Sequence, residues 1–301
     1  MFEVRRLRLL RELAAHGTVA AAAEACALTP SAVSQQLSLL EREARTPLFV
    51  RDGRRLLLTE AAKVLVAHTE IILAQLERAR AEVSALENRV QGTVRLAAFP
   101  SAASALAAPA IAACQAYHPD LNVELIEEEP AQSLVDLRMR RTDVALVYEY
   151  NLLPRLPQSG VELEAVIQEP LLLALPRGHT RGETEGAYTM EALREERWIA
   201  PRRDDSLRTV LERVCASAGF DPRLDYTSDD YSVVLALVQA GLGVSLVPRL
   251  VVEQLSADVT LRPVENLRLT RTVSIAKRAG SAADPVINAL VLGLRRAARQ
   301  G

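Results

Sequence analysis

Cysteine is scarce in this chain. Three thiols in 301 residues, at Cys26, Cys114 and Cys215, are isolated and odd in number, which disfavours both a disulfide framework and a zinc site. His16, His68, His118 and His179 show no metal-ligand spacing, so neither metal nor cofactor is expected. Long apolar runs are missing too. The longest, Val233 to Pro248, is interrupted by Gln239, Gly241 and Gly243 and is too short to span a bilayer. The start, Met1 to Leu13, mixes apolar residues with Arg5, Arg6, Arg8 and Arg11 and lacks the apolar core of a signal peptide. The cytoplasm is therefore the expected location, with no membrane partner. A net charge of −2 supplies no strong global field for nucleic acid or lipid. Lysine is nearly absent, at Lys63 and Lys277, against 34 arginines, so arginine abundance alone carries no functional signal.

What is present fits a soluble globular protein of about two domains, at roughly 150 residues per domain. Apolar residues make up 49% and charged residues 25%, enough for domain-sized cores. The charge is unevenly placed. Residues 1–58 hold nine arginines against six acids, a balance of +3 that leaves −5 for the rest. A basic end on an acidic body points to contact with a polyanion at that end.

Four helical patterns precede residue 90. The first, Val4 to His16, stops at Gly17, a good helix C-terminal residue. The second, Val19 to Cys26, follows Thr18, a suitable N-cap. The third opens on Thr29-Pro30, a cap followed by first-turn proline, and runs to about Ala44. Two short helices so tightly joined suggest a helix-turn-helix. Asp52-Gly53 between β-capable runs then predicts a hairpin, carrying Arg51, Arg54 and Arg55. Together these predict a winged helix over 1–58.

A linker helix is expected over 59–90, behind Thr59, about 45 Å long at 1.5 Å per residue. Leu65, Ile72, Ala79 and Leu86 form one heptad row, and Leu76, Val83 and Val90 another. Such a seam buries itself best against a second helix, which predicts dimerisation through Leu65, Ile72, Leu76, Val83 and Leu86. The competing expectation is a helix lying on its own domain. After Gly92, strand-like runs (Thr93–Ala98, Leu121–Glu127, Val144–Tyr148) alternate with helical ones, the pattern of βαβ units. Glu162 to Gln168 is expected to cross into a second set, and a strand near Leu269–Ala276 with a last helix to return. The prediction is a two-lobed α/β domain over 91–301, with lobe I at 91–162 and 268–301 and lobe II at 163–267.

The sequence resembles the LysR-type transcriptional regulators. The residues that carry it are Ala21-Ala22-Ala23, Leu28, Ser31-Ala32-Val33-Ser34-Gln35-Gln36-Leu37, Leu40-Glu41, Pro47-Leu48-Phe49, Arg51 and Leu58-Thr59. The likeness continues through His118-Pro119, Asp143-Val144-Ala145-Leu146, Glu169-Pro170-Leu171 and Val238-Gln239-Ala240-Gly241-Leu242-Gly243-Val244. Arg45 and Ala62 stand where the family usually has glycine, and Gln35 where it often has arginine. The resemblance implies an α/β multidomain chain: winged helix-turn-helix, linker helix and a periplasmic-binding-protein-like effector domain. It also implies a sequence-specific DNA-binding regulator, a homodimer or homotetramer on dyad-symmetric double-stranded DNA, with RNA polymerase a candidate partner.

Recognition helices read base edges near their N-termini. Thr18, Thr29, Pro30, Ser31, Ser34, Gln35 and Ser38 occupy that end, while Val33, Leu37 and Leu40 point to the core. Gln35 suits adenine, and the wing arginines suit phosphates; a solvated surface is the plain alternative for both groups. Ligands of α/β sheets bind beyond strand C-termini. That rule selects Phe99, Ser101, Ala102, Glu129, Tyr148, Arg202, Arg203, Ser228, Asp229 and Ser245 for a small effector, an amino or organic acid. Asp204-Asp205 and Asp229-Asp230 are paired acids with no histidine near in sequence, so acid–base catalysis has little support. Helix capping is their ordinary role. An enzyme or a solute-binding protein is the rival class.

Overall fold

A computed structural model describes residues 1–52, 55–86, 89–156, 159–179, 183–184, 187–254 and 258–300. Helices α1 (Val4–His16), α2 (Val19–Ala25) and α3 (Pro30–Ala44) precede a hairpin of β1 (Phe49–Asp52) and β2 (Arg55–Leu58). The caps are those expected: Thr18 accepts from the Ala21 amide, Thr29 from Ala32, and Gly17 closes α1 in a left-handed conformation. A core of Leu7, Leu10, Leu13, Val33, Leu37, Leu40 and Leu48 joins the three helices to the hairpin. Glu41 fixes the wing to α3, its carboxylate accepting from the Leu48 and Phe49 amides at 2.9 and 3.2 Å.

The linker helix α4 (Glu60–Ala85) has 26 residues, about 39 Å, shorter than the span 59–90 expected for it. Beyond it, β3 (Gly92–Ala98) leads to α5 (Pro100–Ala102), a π-helical turn (Ala103–Ala107) and α6 (Ala108–Tyr117). Next come β4 (Leu121–Glu127), α7 (Pro130–Arg138), β5 (Val144–Tyr150) and the long β6 (Val161–Pro176). The second lobe holds β7 (Glu183–Thr184), β8 (Ala187–Tyr188), β9 (Arg197–Ala200), α8 (Ser206–Ser217), β10 (Arg223–Thr227) and α9 (Tyr231–Gln239). It continues with β11 (Ser245–Pro248), α10 (Arg249–Gln254) and β12 (Val259–Arg262), before β13 (Thr270–Arg278) and α11 (Pro285–Gln300) return to lobe I.

The principal sheet runs β11-β6-β13-β5-β3-β4, with β12 also on β6. The expected crossover and the following strand are one element. From Val161 to Pro170, β6 pairs with β13; from Leu171 onward it pairs with β11 and β12. The partner thus changes at Pro170–Leu171, eight residues past the expected lobe boundary. Glu162–Gln168 reads as a connection because none of its residues is buried, whereas four of the five residues Leu171–Leu175 are.

The N-terminal part rests on lobe I. Glu12 of α1 is fully buried between Arg11 (2.8 Å) and Arg138 of lobe I (3.4 Å). Glu77 of α4 is held by Arg278 at 2.9 Å and by Arg140. A Cβ on Gly280 would lie 2.2 Å from the Ala74 carbonyl, so glycine lets lobe I meet the α4 backbone.

Candidate functional site

Two surfaces concern function. On α3, Ser31, Ser34, Gln35 and Ser38 are exposed, and the stripe continues to Arg42, a position sequence reasoning passed over. Thr18, Thr29 and Pro30 are exposed at the helix starts. Gln36 is not equivalent to Gln35, because Arg6 of α1 donates to its Oε1 at 3.1 Å and holds it on the domain. Gln35 has no such tether among the described residues. Of the wing cations, Arg54 lies outside the described residues, and Arg51 and Arg55 are placed only as paired backbone positions of β1 and β2.

On α4, Ile72, Leu76, Val83 and Leu86 are 38–83% exposed, an apolar stripe with no cover. Leu65 is different. It is half-buried against the winged-helix core, so the seam begins after it, because the first turns of α4 serve their own domain.

The second surface is a cavity of about 610 Å³ between the lobes. Phe99 and Ser101 enter it from the β3 end, Glu129 from the β4 end and Tyr148 from β5. Arg202, Ser228, Asp229 and Ser245 enter from lobe II. Ala102 and Arg203 do not line it: Ala102 is fully buried in the lobe core, and Arg203 is exposed outside. The helical turn after Pro100 rotates Ala102 inward, and the loop after β9 turns Arg203 out.

Arg271 forms the floor. It is 1% exposed, and its Nη2 lies 2.6 Å from the Glu169 carboxylate, with Nε donating to the same oxygen at 2.8 Å. Its Nη1 and Nη2 donate to Ser101 Oγ at 3.3 Å. Glu169 in turn accepts from the Leu250 amide at 2.6 Å, joining lobe I to lobe II. The guanidinium lies 5.2 Å from the Phe99 ring centre and 5.5 Å from that of Tyr148. Sequence reasoning missed Arg271, although a charge on the parity of Val273 and Ile275, both buried, was a usable signal.

Tyr148 donates to Glu129 Oε2 at 2.8 Å. Enclosure by the walls pushes the Glu129 carboxyl above its ordinary value, and Asp205 and Asp229 push the same way. Asp205, which caps α8 by accepting from the Leu207 amide at 2.6 Å, is likewise raised by burial and by its acidic neighbours. Burial raises the Tyr148 phenol far above its usual range. Asp229 is occupied at the mouth, accepting from the Arg202 amide at 2.9 Å and paired with its Nε at 2.5 Å. Ser245 spends its hydroxyl on the Ile199 carbonyl at 2.8 Å.

Family models match almost end to end: a bacterial regulatory helix-turn-helix of the lysR family over residues 4–63, and a LysR substrate binding domain over 87–299. The chain belongs to the LysR family of transcriptional regulators. This LysR-family chain is 26% identical to the regulator AlsR of Bacillus subtilis over 278 residues, 92% of this chain and 90% of AlsR. The dual regulator GltC of the same organism is 26% identical, with 91% of this chain and 90% of GltC covered. Among solved structures, full-length OxyR of Pseudomonas aeruginosa matches at TM-score 0.60 and 21% identity, covering 98% of this chain and 95% of its own. CbnR in complex with its target DNA matches at TM-score 0.54 and 23% identity, covering 99% and 100%. LysR-family regulators couple a DNA-binding helix-turn-helix to an effector-binding domain, and this chain has both parts. Among the described residues, no helix is long and apolar enough to cross a membrane.

Proposed function

We propose that the protein acts in the cytoplasm, without enzymatic activity, as an oligomer that reads dyad-symmetric DNA and responds to a small molecule in the inter-lobe cleft. The observation that carries this is the exposed, uncharged stripe Ser31, Ser34, Gln35 and Ser38 on the second helix of the helix-turn-helix. Hydroxyls and an amide exposed near the start of such a helix can hydrogen-bond base edges in the major groove. Gln35 would pair with an adenine edge and Ser34 reach a neighbouring base. Arg51, Arg54 and Arg55 would hold phosphates flanking the groove.

Pairing through Ile72, Leu76, Val83 and Leu86 would set two such helices on one two-fold axis; a tetramer of two dimers is the preferred assembly. The decisive experiment is DNA titration of Gln35→Ala on specific and random duplexes. A loss of about 1–3 kcal/mol confined to one base pair per half-site is expected, and equal loss on both duplexes refutes base reading there. For the assembly, Ile72→Asp with Leu76→Asp should dissociate the dimer, since charge in an apolar seam is costly. An intact dimer in sedimentation would sink that arrangement.

A further inference from the structure

We infer that the cleft is built for an organic cation, a small molecule bearing at least one alkylammonium group, and not for an organic acid. The inference rests on the proposal that an effector occupies the cleft. Seven acidic residues line the cavity against two arginines, and both arginines are already engaged. Arg202 is paired with Asp229, and Arg271 with Glu169. A ligand carboxylate would have to compete with buried Glu169 for Arg271, or with Asp229 for Arg202 at the mouth, while facing surplus negative charge. Glu129 and Asp205 stand the other way: among the described residues neither has an ion-pair partner. Glu129 takes a hydrogen bond from Tyr148, and Asp205 one from a backbone amide.

The remaining walls suit an ammonium as well. Tyr150, 4% exposed, lines the cavity, and among the described residues nothing hydrogen-bonds to its hydroxyl. Its phenol oxygen, with Arg271 and Asp205 among its charged neighbours, has lone pairs to accept a further N–H. Phe99, Tyr148 and Tyr150 stand edge to face, at 4.7 and 5.3 Å between centres. Aromatic faces attract cations, and Arg271 already rests against two of these rings. A bare metal ion is the poorer occupant. Among the described residues no group of three His, Cys, Asp or Glu side chains could hold one, and about 610 Å³ is room for an organic molecule.

Three four-carbon compounds differing in end groups separate the charge types: 1,4-diaminobutane, 4-aminobutanoate and succinate. Each is titrated against the full chain, without DNA and at constant ionic strength, with Tm as readout. The diamine should raise Tm saturably, with a half-saturating concentration at least tenfold below that of 4-aminobutanoate, and succinate should give no shift. In Glu129→Gln with Asp205→Asn, amides keep the Tyr148 contact and the helix cap. There the diamine shift should vanish while the Tm of the unliganded protein rises, because carboxyls with raised pKa are ionised at a cost to the fold at neutral pH. A succinate shift equal to the diamine's overturns the cationic class but leaves effector control standing. No shift with any of the three, or a diamine shift that survives in the double variant, overturns it outright. Effector control is tested apart, by DNA titration with whichever compound stabilises, and fails if affinity is unchanged.

Discussion

Two charged crevices of the chain treat their charges in opposite ways. Where the winged helix and α4 meet lobe I, a space of about 30 Å³ is walled by Arg8, Arg11, Arg138, Arg140 and Arg278 with Glu77. There the acids are shared between cations: Glu12 between Arg11 and Arg138, and Glu77 between Arg140 and Arg278. Burial still lowers the Arg138 and Arg140 guanidiniums below their ordinary values. In the cleft, by contrast, Glu129 and Asp205 have no ion-pair partner among the described residues and line a cavity of about 610 Å³. Charges that only join two domains are neutralised within the chain, whereas those left without a partner surround the room for a ligand.

The sharpest way to break this contrast is Glu77→Ala. It takes the ion-pair partner from Arg140 and leaves Arg278 on Asp143 and two backbone carbonyls. Since loss of one member of a buried pair costs about 3–5 kcal/mol, a loss at the lower end of that range is expected. Urea unfolding of the full chain should show that loss; a change under ~1 kcal/mol would mean the junction is not sealed. Glu169→Gln tests the one part of the cleft built like the junction. The amide oxygen keeps the Leu250 bond but leaves Arg271 uncompensated, so a cost of about 1–3 kcal/mol is expected, and a Tm equal to wild type refutes it. Arg202→Ala at the mouth should change stability by less than about 1 kcal/mol, because that arginine side chain is 72% exposed. The smallest effect concerns Cys26, beside the junction. Burial, with Glu12 adding to it, pushes its thiol up to about 11, so it stays protonated and unreactive at neutral pH. Iodoacetamide at pH 7.5 should label it only after denaturation; rapid native labelling would show the junction opens.

The local features were legible and the remote ones were not. Thr18, Thr29 and Thr59 announce helix starts within one turn, and all three accept the expected amide. Arg45, where a glycine was anticipated, does adopt a left-handed conformation at φ 52, a strain that a sequence shows only as an unusual residue. Helix periodicity separates Gln35 from Gln36, but what holds Gln36 on the domain is Arg6, thirty residues away. Leu65 obeys the heptad but belongs to another core. Arg271 and Glu169 stand 102 positions apart in the chain, and no periodicity brings them together. Eight of the ten residues expected at the cleft line it, because strand ends converge by topology; its charge pairing depends on side-chain reach, which no spacing encodes.

Strand β6 passes from one lobe to the other without interruption, while the return path, residues 263–269, has no regular strand. Closing the cleft therefore twists a hydrogen-bonded ladder on one side and bends a loop on the other. A ladder resists large rotation, so the lobes should move like a torsion bar with a slack tether. The two paths are tied where they cross, the Leu171 amide donating to the Leu269 carbonyl at 2.9 Å. Amides of β6 about Leu171 should therefore exchange slowly with solvent although they sit at the pivot, and the hinge's give should appear in amides of residues 263–268.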